Sequence, residues 1–328
     1  MDFSARDRLL AERLELLYRS YGPETASSDP IGLVLPYADP EDIEVAGWIA
    51  SAFAYGRVET IRANVSRLLE ALGPRPARAL DQIGDFSAFA RERLGGFRHR
   101  FHGARDAAAL LLAISHARAE AGSVRAYFEA ERRPEEPDVA GLLSRVARKL
   151  LRIDFRPALG RKDLPEDAPT RFFFPDPASG SACKRWNLYL RWMVRRDRLD
   201  FGLWAGIPTD RLIVPTDTHI HLVARRLRLT RRKTADWTAA REITRRLSRF
   251  DARDPVRFDY ALCRIGIFGI CRSEASKSRC HDCLAQEACP VGRKRIARSK
   301  RSGLDSPEAR LVLPPAASPR FDDSMGLS

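Results

Sequence analysis

The chain has 328 residues, 44% of them hydrophobic, enough to bury one large core or two modest ones. Its 57 Lys and Arg against 43 Asp and Glu give a net charge of +14, which points to an anionic partner, nucleic acid first and anionic membrane second. No run of about 18 apolar residues is present, so no membrane span is expected, and the N-terminus carries no signal-like apolar stretch, so a reducing cytoplasm is the expected compartment.

The opening segment reads as a helix. Ser4 with Asp7 three positions on resembles a capping box, and Leu10, Leu14 and Leu17 give an apolar stripe that ends before Gly22-Pro23. Asp39-Pro40-Glu41-Asp42 is a strong helix start. The following helix, with Val45, Trp48, Ile49, Ala50 and Phe53, is apolar nearly all round and is expected to be central, breaking at Gly56. An amphipathic helix follows through Ile61, Val65, Leu68 and Leu72, and residues 76–152 continue as helical segments. No set of alternating strands and no internal repeat is found, so the fold class is all-α.

From about 153 to 183 the composition shifts to proline and Phe172-Phe173-Phe174, a crossover loop of a length that is usually functional. A helix is predicted from near Ala182 through Trp186, Leu190 and Trp192, and a short strand at 212–214. Further helices are predicted from Thr218, from about Thr234, and from Pro255 with Asp254 as its cap. Residues 1–290 are expected to form one helical domain with interleaved lobes, and 291–328 a basic, disordered tail.

Two stretches carry chemistry. In Val214-Pro215-Thr216-Asp217-Thr218-His219, Asp217 is placed to cap the next helix, where its charge suits the positive helix end. Downstream, Cys271, Cys280, Cys283 and Cys289 form C-x8-C-x2-C-x5-C. Four thiolates within one loop suit zinc or an iron–sulfur cluster, and spacing alone does not choose between them; disulfides or plain buried thiols are the other readings. Cys183 and Cys263 stand apart in apolar helical surroundings and read as buried thiols.

A lysine-bearing turn and helix, then a Pro-x-Asp-Thr-His segment, then a four-cysteine loop resembles the helix-hairpin-helix DNA glycosylases, and the loop resembles that of endonuclease III. The resemblance implies a two-lobed helical fold, a [4Fe-4S] cluster on Cys271, Cys280, Cys283 and Cys289 with zinc as the alternative, Asp217 as catalytic carboxylate and Lys184 as lyase amine. It further implies a monomer acting on double-stranded DNA with a damaged base, in the bacterial nucleoid. Gly180, Ser181, Arg185, Tyr55 and Arg57 are the implied DNA contacts; Phe53 or Tyr55 could fill the gap left by a turned-out base, although core packing in an apolar helix is the favoured reading for Phe53 and an equal one for Tyr55. Arg185, Arg191, Arg195 and Arg196 are expected to keep the lysine neutral. The hairpin departs from the usual Leu-Pro-Gly-Val-Gly, reading Pro177-Ala178-Ser179-Gly180-Ser181. Residues 30–290 also resemble an uncharacterised bacterial family through Lys184-Arg185-Trp186-Asn187-Leu188 and Arg191-Trp192-Met193-Val194-Arg195. Two rival readings use the same residues: a non-catalytic DNA-binding protein on this scaffold, and a metal-stabilised RNA-binding protein.

Overall fold

The computed structural model describes residues 3–301. Its helices are α1 (Ala5–Ser20), α2 (Pro40–Ala52), α3 (Val58–Leu72), α4 (Pro76–Asp81), α5 (Phe86–Glu92), α6 (Ala104–Ala121), α7 (Val124–Glu129) and α8 (Ala140–Leu150). They continue with α9 (Arg156–Leu159), α10 (Lys184–Val194), α11 (Thr218–Arg226), α12 (Trp237–Leu247), α13 (Asp259–Ile267) and α14 (Pro290–Arg301). Among the described residues the one sheet is a hairpin of two-residue strands, β1 (Arg98–His99) and β2 (His102–Gly103). The protein is mostly helical, as expected.

The caps form where the side chains call for them. Ser4 Oγ accepts from the Asp7 amide at 3.1 Å, Asp39 from Glu41 at 3.0 Å, and Asp236 from Ala239 at 2.8 Å. Each supplies an acceptor for an amide that the helix leaves unpaired. α2 is the central helix: Val45, Trp48, Ile49, Ala50 and Phe53 are all buried. It packs on α10, with Trp48 lying 5.3 Å from Trp186 and 5.9 Å from Tyr189 between ring centroids. The approach is close at Gly47, where a Cβ would sit 2.8 Å from Met193 Cε, the movable end of a flexible side chain, and 3.3 Å from the Tyr189 ring.

α11 packs on α13 in the same manner. A Cβ on Gly266 would fall 2.7 Å from His219 Cβ, so this glycine sets the distance between the helix that Asp217 caps and its neighbour. The crossover loop is pinned at its end. Trp237 donates its amide to the Gly180 carbonyl at 3.0 Å, and Ser181 pairs as an isolated bridge with Asp236.

Four local expectations are corrected. Residues 212–214 are extended but have no strand beside them; the Val214 amide is satisfied by Thr244 Oγ1 at 3.0 Å. The crossover helix begins at Lys184, two residues late, because Cys183 adopts φ +45°. Asp254 does not cap the Pro255 turn; its carboxylate pairs with Arg195 instead, at 2.8 Å. Finally, Pro290–Arg301 is helical where a tail was expected, and the rest of that tail lies outside the described residues.

Beneath the functional region runs a buried ionic network. Arg191 pairs with Asp200 at 3.2 Å and with Asp259 at 2.6 Å. Arg195 pairs with Asp200, with Asp254 at 2.8 Å and with Asp197 at 3.0 Å. Two guanidiniums and their carboxylates thus share charges in the interior, an arrangement that holds only while every partner is present.

Candidate functional site

Lys184 is the first residue of α10 and Asp217 the residue before α11, so two helix N-termini meet where these side chains meet. Asp217 Oδ1 accepts from the His219 and Ile220 amides, each at 2.9 Å, which makes it the cap that its sequence position predicts. Its other oxygen, Oδ2, lies 3.3 Å from Lys184 Nζ, which also donates to the Ala54 carbonyl at 3.0 Å. The two residues, 33 positions apart in sequence, therefore form one pair, braced against the end of α2.

The pair lines a cavity of about 430 Å³ whose wall includes Tyr55, His219, Asp259, Tyr260 and Cys263. This volume lies in the range of small-molecule sites. Asp259 is buried and donates no proton to a neighbour; Arg191 holds one of its oxygens, and the other has no hydrogen-bond partner. Burial pushes this carboxyl up to about 6, against the pull of Arg191. Nothing about Asp259 stands out in the sequence, since an acid one turn into a helix reads as solvent-facing.

The charge state of the pair corrects an expectation. Burial, the largest single influence, would lower the Lys184 pKa, but the Asp217 carboxylate together with Cys263 and Asp29 outweighs it and the net shift is upward. Burial would likewise raise Asp217, yet Lys184 and the Ile220 amide overcome it and hold the carboxyl below its ordinary range. In the free protein Lys184 is therefore a protonated ammonium. The arginines expected to keep it neutral do not: Arg191 and Arg195 are occupied by the carboxylates of the buried network, and Arg185 by backbone carbonyls.

The expected DNA contacts separate into two groups. Gly180, at φ +84°, and Ser181 sit at the surface end of the crossover loop, and Arg57 is exposed, its guanidinium without a hydrogen bond or ion pair among the described residues. Arg185 is buried; it donates to the Ala52 carbonyl at 3.2 Å and to the Phe172 carbonyl, so it supports the wall and is not free for phosphate. Phe53 is wholly buried, its ring 5.2 Å from both His99 and Phe173, so it packs the core and fills no gap in a duplex.

Tyr55 is half-buried at the cavity rim. Its hydroxyl bonds His102 Nδ1, and the Tyr55 carbonyl meets His99 Nε2 at 2.9 Å. Burial lowers the His102 pKa to about 4, so the ring is neutral at pH 7 and accepts or donates as its partners require. Both histidines come from the hairpin, an element that sequence reasoning missed; the His99-x-x-His102 spacing was the available signal.

The four cysteines of the loop are free thiols. Cys271 Sγ accepts from Arg226 Nη1 at 3.3 Å and Cys289 Sγ from the Gly292 amide at 3.5 Å. Burial raises Cys271, Cys280 and Cys283, the last to about 12, and neighbouring thiols push each of them the same way. Among the described residues, however, no three His, Cys, Asp or Glu side chains are arranged as a metal-holding group. Cys183 is buried as expected, and burial pushes its thiol up to about 12. Cys263 faces the cavity instead.

The site therefore belongs to a helical protein with a Lys–Asp pair seated at two helix N-termini in the wall of a cavity. The profile of the family described as "Protein of unknown function (DUF2400)" matches residues 29–268, and the chain belongs to that family. The matched stretch includes Lys184, Asp217 and nearly all of the cavity wall, and it ends before Cys271. No curated protein and no solved structure matches the chain. Among the described residues no helix is long and apolar enough to cross a membrane.

Proposed function

We propose that this protein is a DNA base-excision glycosylase whose Lys184 can also act as a Schiff-base lyase amine. The observation that carries the reading is the 3.3 Å contact between Lys184 Nζ and Asp217 Oδ2 in the wall of a cavity of about 430 Å³. Support also comes from the net charge of +14 and from the exposed Arg57 and Gly180 beside the site.

Asp217, held ionised, faces the place where positive charge would grow on a sugar as its base departs. A preorganised carboxylate there contributes on the order of 3–4 kcal/mol. Lys184 must first give up a proton, which passes to solvent through the open side of the cavity, and Asp217 stays ionised. The freed amine lone pair then forms a bond to C1′ while the C1′–N bond breaks. The base leaves with that electron pair and takes up a proton, and the sugar ring opens to the protonated imine. The imine lets C2′ lose a proton and the C3′–O bond break, which cuts the strand. Turning the nucleotide out of the duplex costs a few kcal/mol, least for a damaged base.

The test is borohydride trapping on DNA carrying an abasic site. Wild-type protein is expected to give a covalent adduct and Lys184→Ala none. Absence of an adduct with the wild type, or equal adduct from both, removes the lyase. A second reading, a DNA-binding protein without catalysis, is favoured by one observation: Asp217 keeps Lys184 protonated in the free protein. Trapping separates the two.

Cys271, Cys280, Cys283 and Cys289 would hold the metal centre, whose contribution there is to brace the loop that ends in α14; the thiol donor set suits a [4Fe-4S] cluster and also zinc. Iron with acid-labile sulfide in anaerobically purified protein is expected. Zinc in its place selects the alternative, and neither metal at one equivalent rejects the site.

A further inference from the structure

Few large apolar side chains of the described chain are exposed, and two of them lie together. Phe101 is 50% exposed and Phe172 is 41% exposed, and their rings meet edge to face with centroids 5.1 Å apart. They come from elements far apart in sequence, the turn of the β1–β2 hairpin and the crossover loop. An exposed aromatic pair on a surface rich in charge marks a contact rather than a packing residue.

The pair is built to stay in place. Tyr55 supports both rings, 6.0 Å from Phe101 and 5.0 Å from Phe172. The buried Arg185 guanidinium lies over the inner side of Phe172 at 3.7 Å from the centroid and bonds the Phe172 carbonyl. His102 packs 4.4 Å from Phe101 and is itself anchored to the Pro169 carbonyl at 2.9 Å. Arg100, at φ +56°, makes the sharp turn that presents Phe101.

The surroundings select the partner. Arg57, Arg98 and Arg100 are exposed, their guanidiniums have no hydrogen bond or ion pair among the described residues, and the Arg100 side chain runs beside Gly56 at the cavity rim. Free guanidiniums around exposed rings match a chain of phosphates with flat bases, and they oppose an apolar protein face, which would have to bury those charges unpaired. Tyr55 belongs to both structures: it lines the cavity and supports the rings.

We propose that Phe101 and Phe172 form a stacking platform for one unpaired base of a nucleic acid strand, with Arg57, Arg98 and Arg100 holding the flanking phosphates. The platform rests on the nucleic-acid part of the function proposed above and is independent of base excision.

The test measures fluorescence anisotropy of labelled, undamaged DNA with the full chain, comparing a duplex that carries one bulged nucleotide with the same duplex fully paired. Wild-type protein is expected to prefer the bulged duplex. The Phe101→Ala/Phe172→Ala variant should lose about tenfold or more of affinity for the bulge, the loss typical of removing base stacking, with paired-duplex affinity unchanged. Phe101→Trp/Phe172→Trp should restore the preference, which a merely structural role would not require. No preference in the wild type, or the same preference in the alanine variant, overturns the platform. Loss of preference through self-association of the wild type, seen by sedimentation, assigns the rings to a second copy and overturns it too. A retained bulge preference with no borohydride adduct leaves the platform standing and rejects excision alone.

Discussion

Asp200→Ala is expected to destabilise the protein by about 3–5 kcal/mol, the usual consequence of leaving a buried charge without its partner. Asp200 is 1% exposed at its side chain and is shared between Arg191, 3.2 Å away, and Arg195. Removing it leaves each guanidinium with fewer acceptors in the interior, where water cannot replace them. Arg191 also holds Asp259 at 2.6 Å in the cavity wall, so the damage extends from the core to the site. For a chain of this size such a loss corresponds to a fall of about 4–7 °C in the melting midpoint. Calorimetry or circular dichroism melting checks it. A midpoint within a degree or two of wild type would show that the network does not brace the fold.

Asp217→Asn should give the largest change in activity, and it should split two activities that are usually reported together. Asparagine is as good a cap as aspartate, so the bonds to the His219 and Ile220 amides survive and stability changes by less than about 1 kcal/mol. The charge is lost, and with it the stabilisation of a cationic sugar, so base excision should fall about 10²–10³-fold. Lys184 responds in the opposite sense. Asp217 is the largest of the groups that hold its pKa up against burial, with Cys263 and Asp29 adding to it, so without the carboxylate burial weighs more and the amine loses its proton at lower pH. Trapping on a preformed abasic site should therefore persist, with its pH dependence moved towards acid. If excision and trapping fall together with an unmoved pH profile, Asp217 does not control the lysine.

The same electrostatics explain why the neutral lysine expected from neighbouring arginines is not found. Sequence proximity put Arg185, Arg191 and Arg195 on the helix of Lys184, and their charges were counted as if free. Each is instead matched in the fold by groups distant in sequence: Asp259 for Arg191, Asp254 for Arg195, and the Ala52 carbonyl for Arg185. A charge that is already paired exerts little net field on a third group.

Local chemistry was legible in the chain. Ser4, Asp39 and Asp217 cap helices because a short acceptor side chain next to an apolar-periodic run finds the unpaired amides without help from the rest of the fold, whereas Asp254 is drawn away to Arg195. The central position of α2 followed from its lack of a polar face. The hairpin of Arg98–His99 and His102–Gly103 was not legible, since two-residue strands carry no period. Nor was the helix over Pro290–Arg301, where a basic sequence hid a helical face.

By itself, then, the sequence determined the helical class, the caps at Ser4, Asp39 and Asp217 and the close spacing of the four cysteines, because each depends on neighbours within a turn or a short loop, whereas Lys184 was singled out only through the family resemblance. Only the tertiary structure decided that the two meet at 3.3 Å, that the lysine is charged, and that Asp259 and Tyr55 share their cavity. It also turned Phe53 inward and Phe101 and Phe172 outward. Those outcomes depend on which distant groups are packed against each side chain, and burial and pairing are properties of the assembled core, not of any segment.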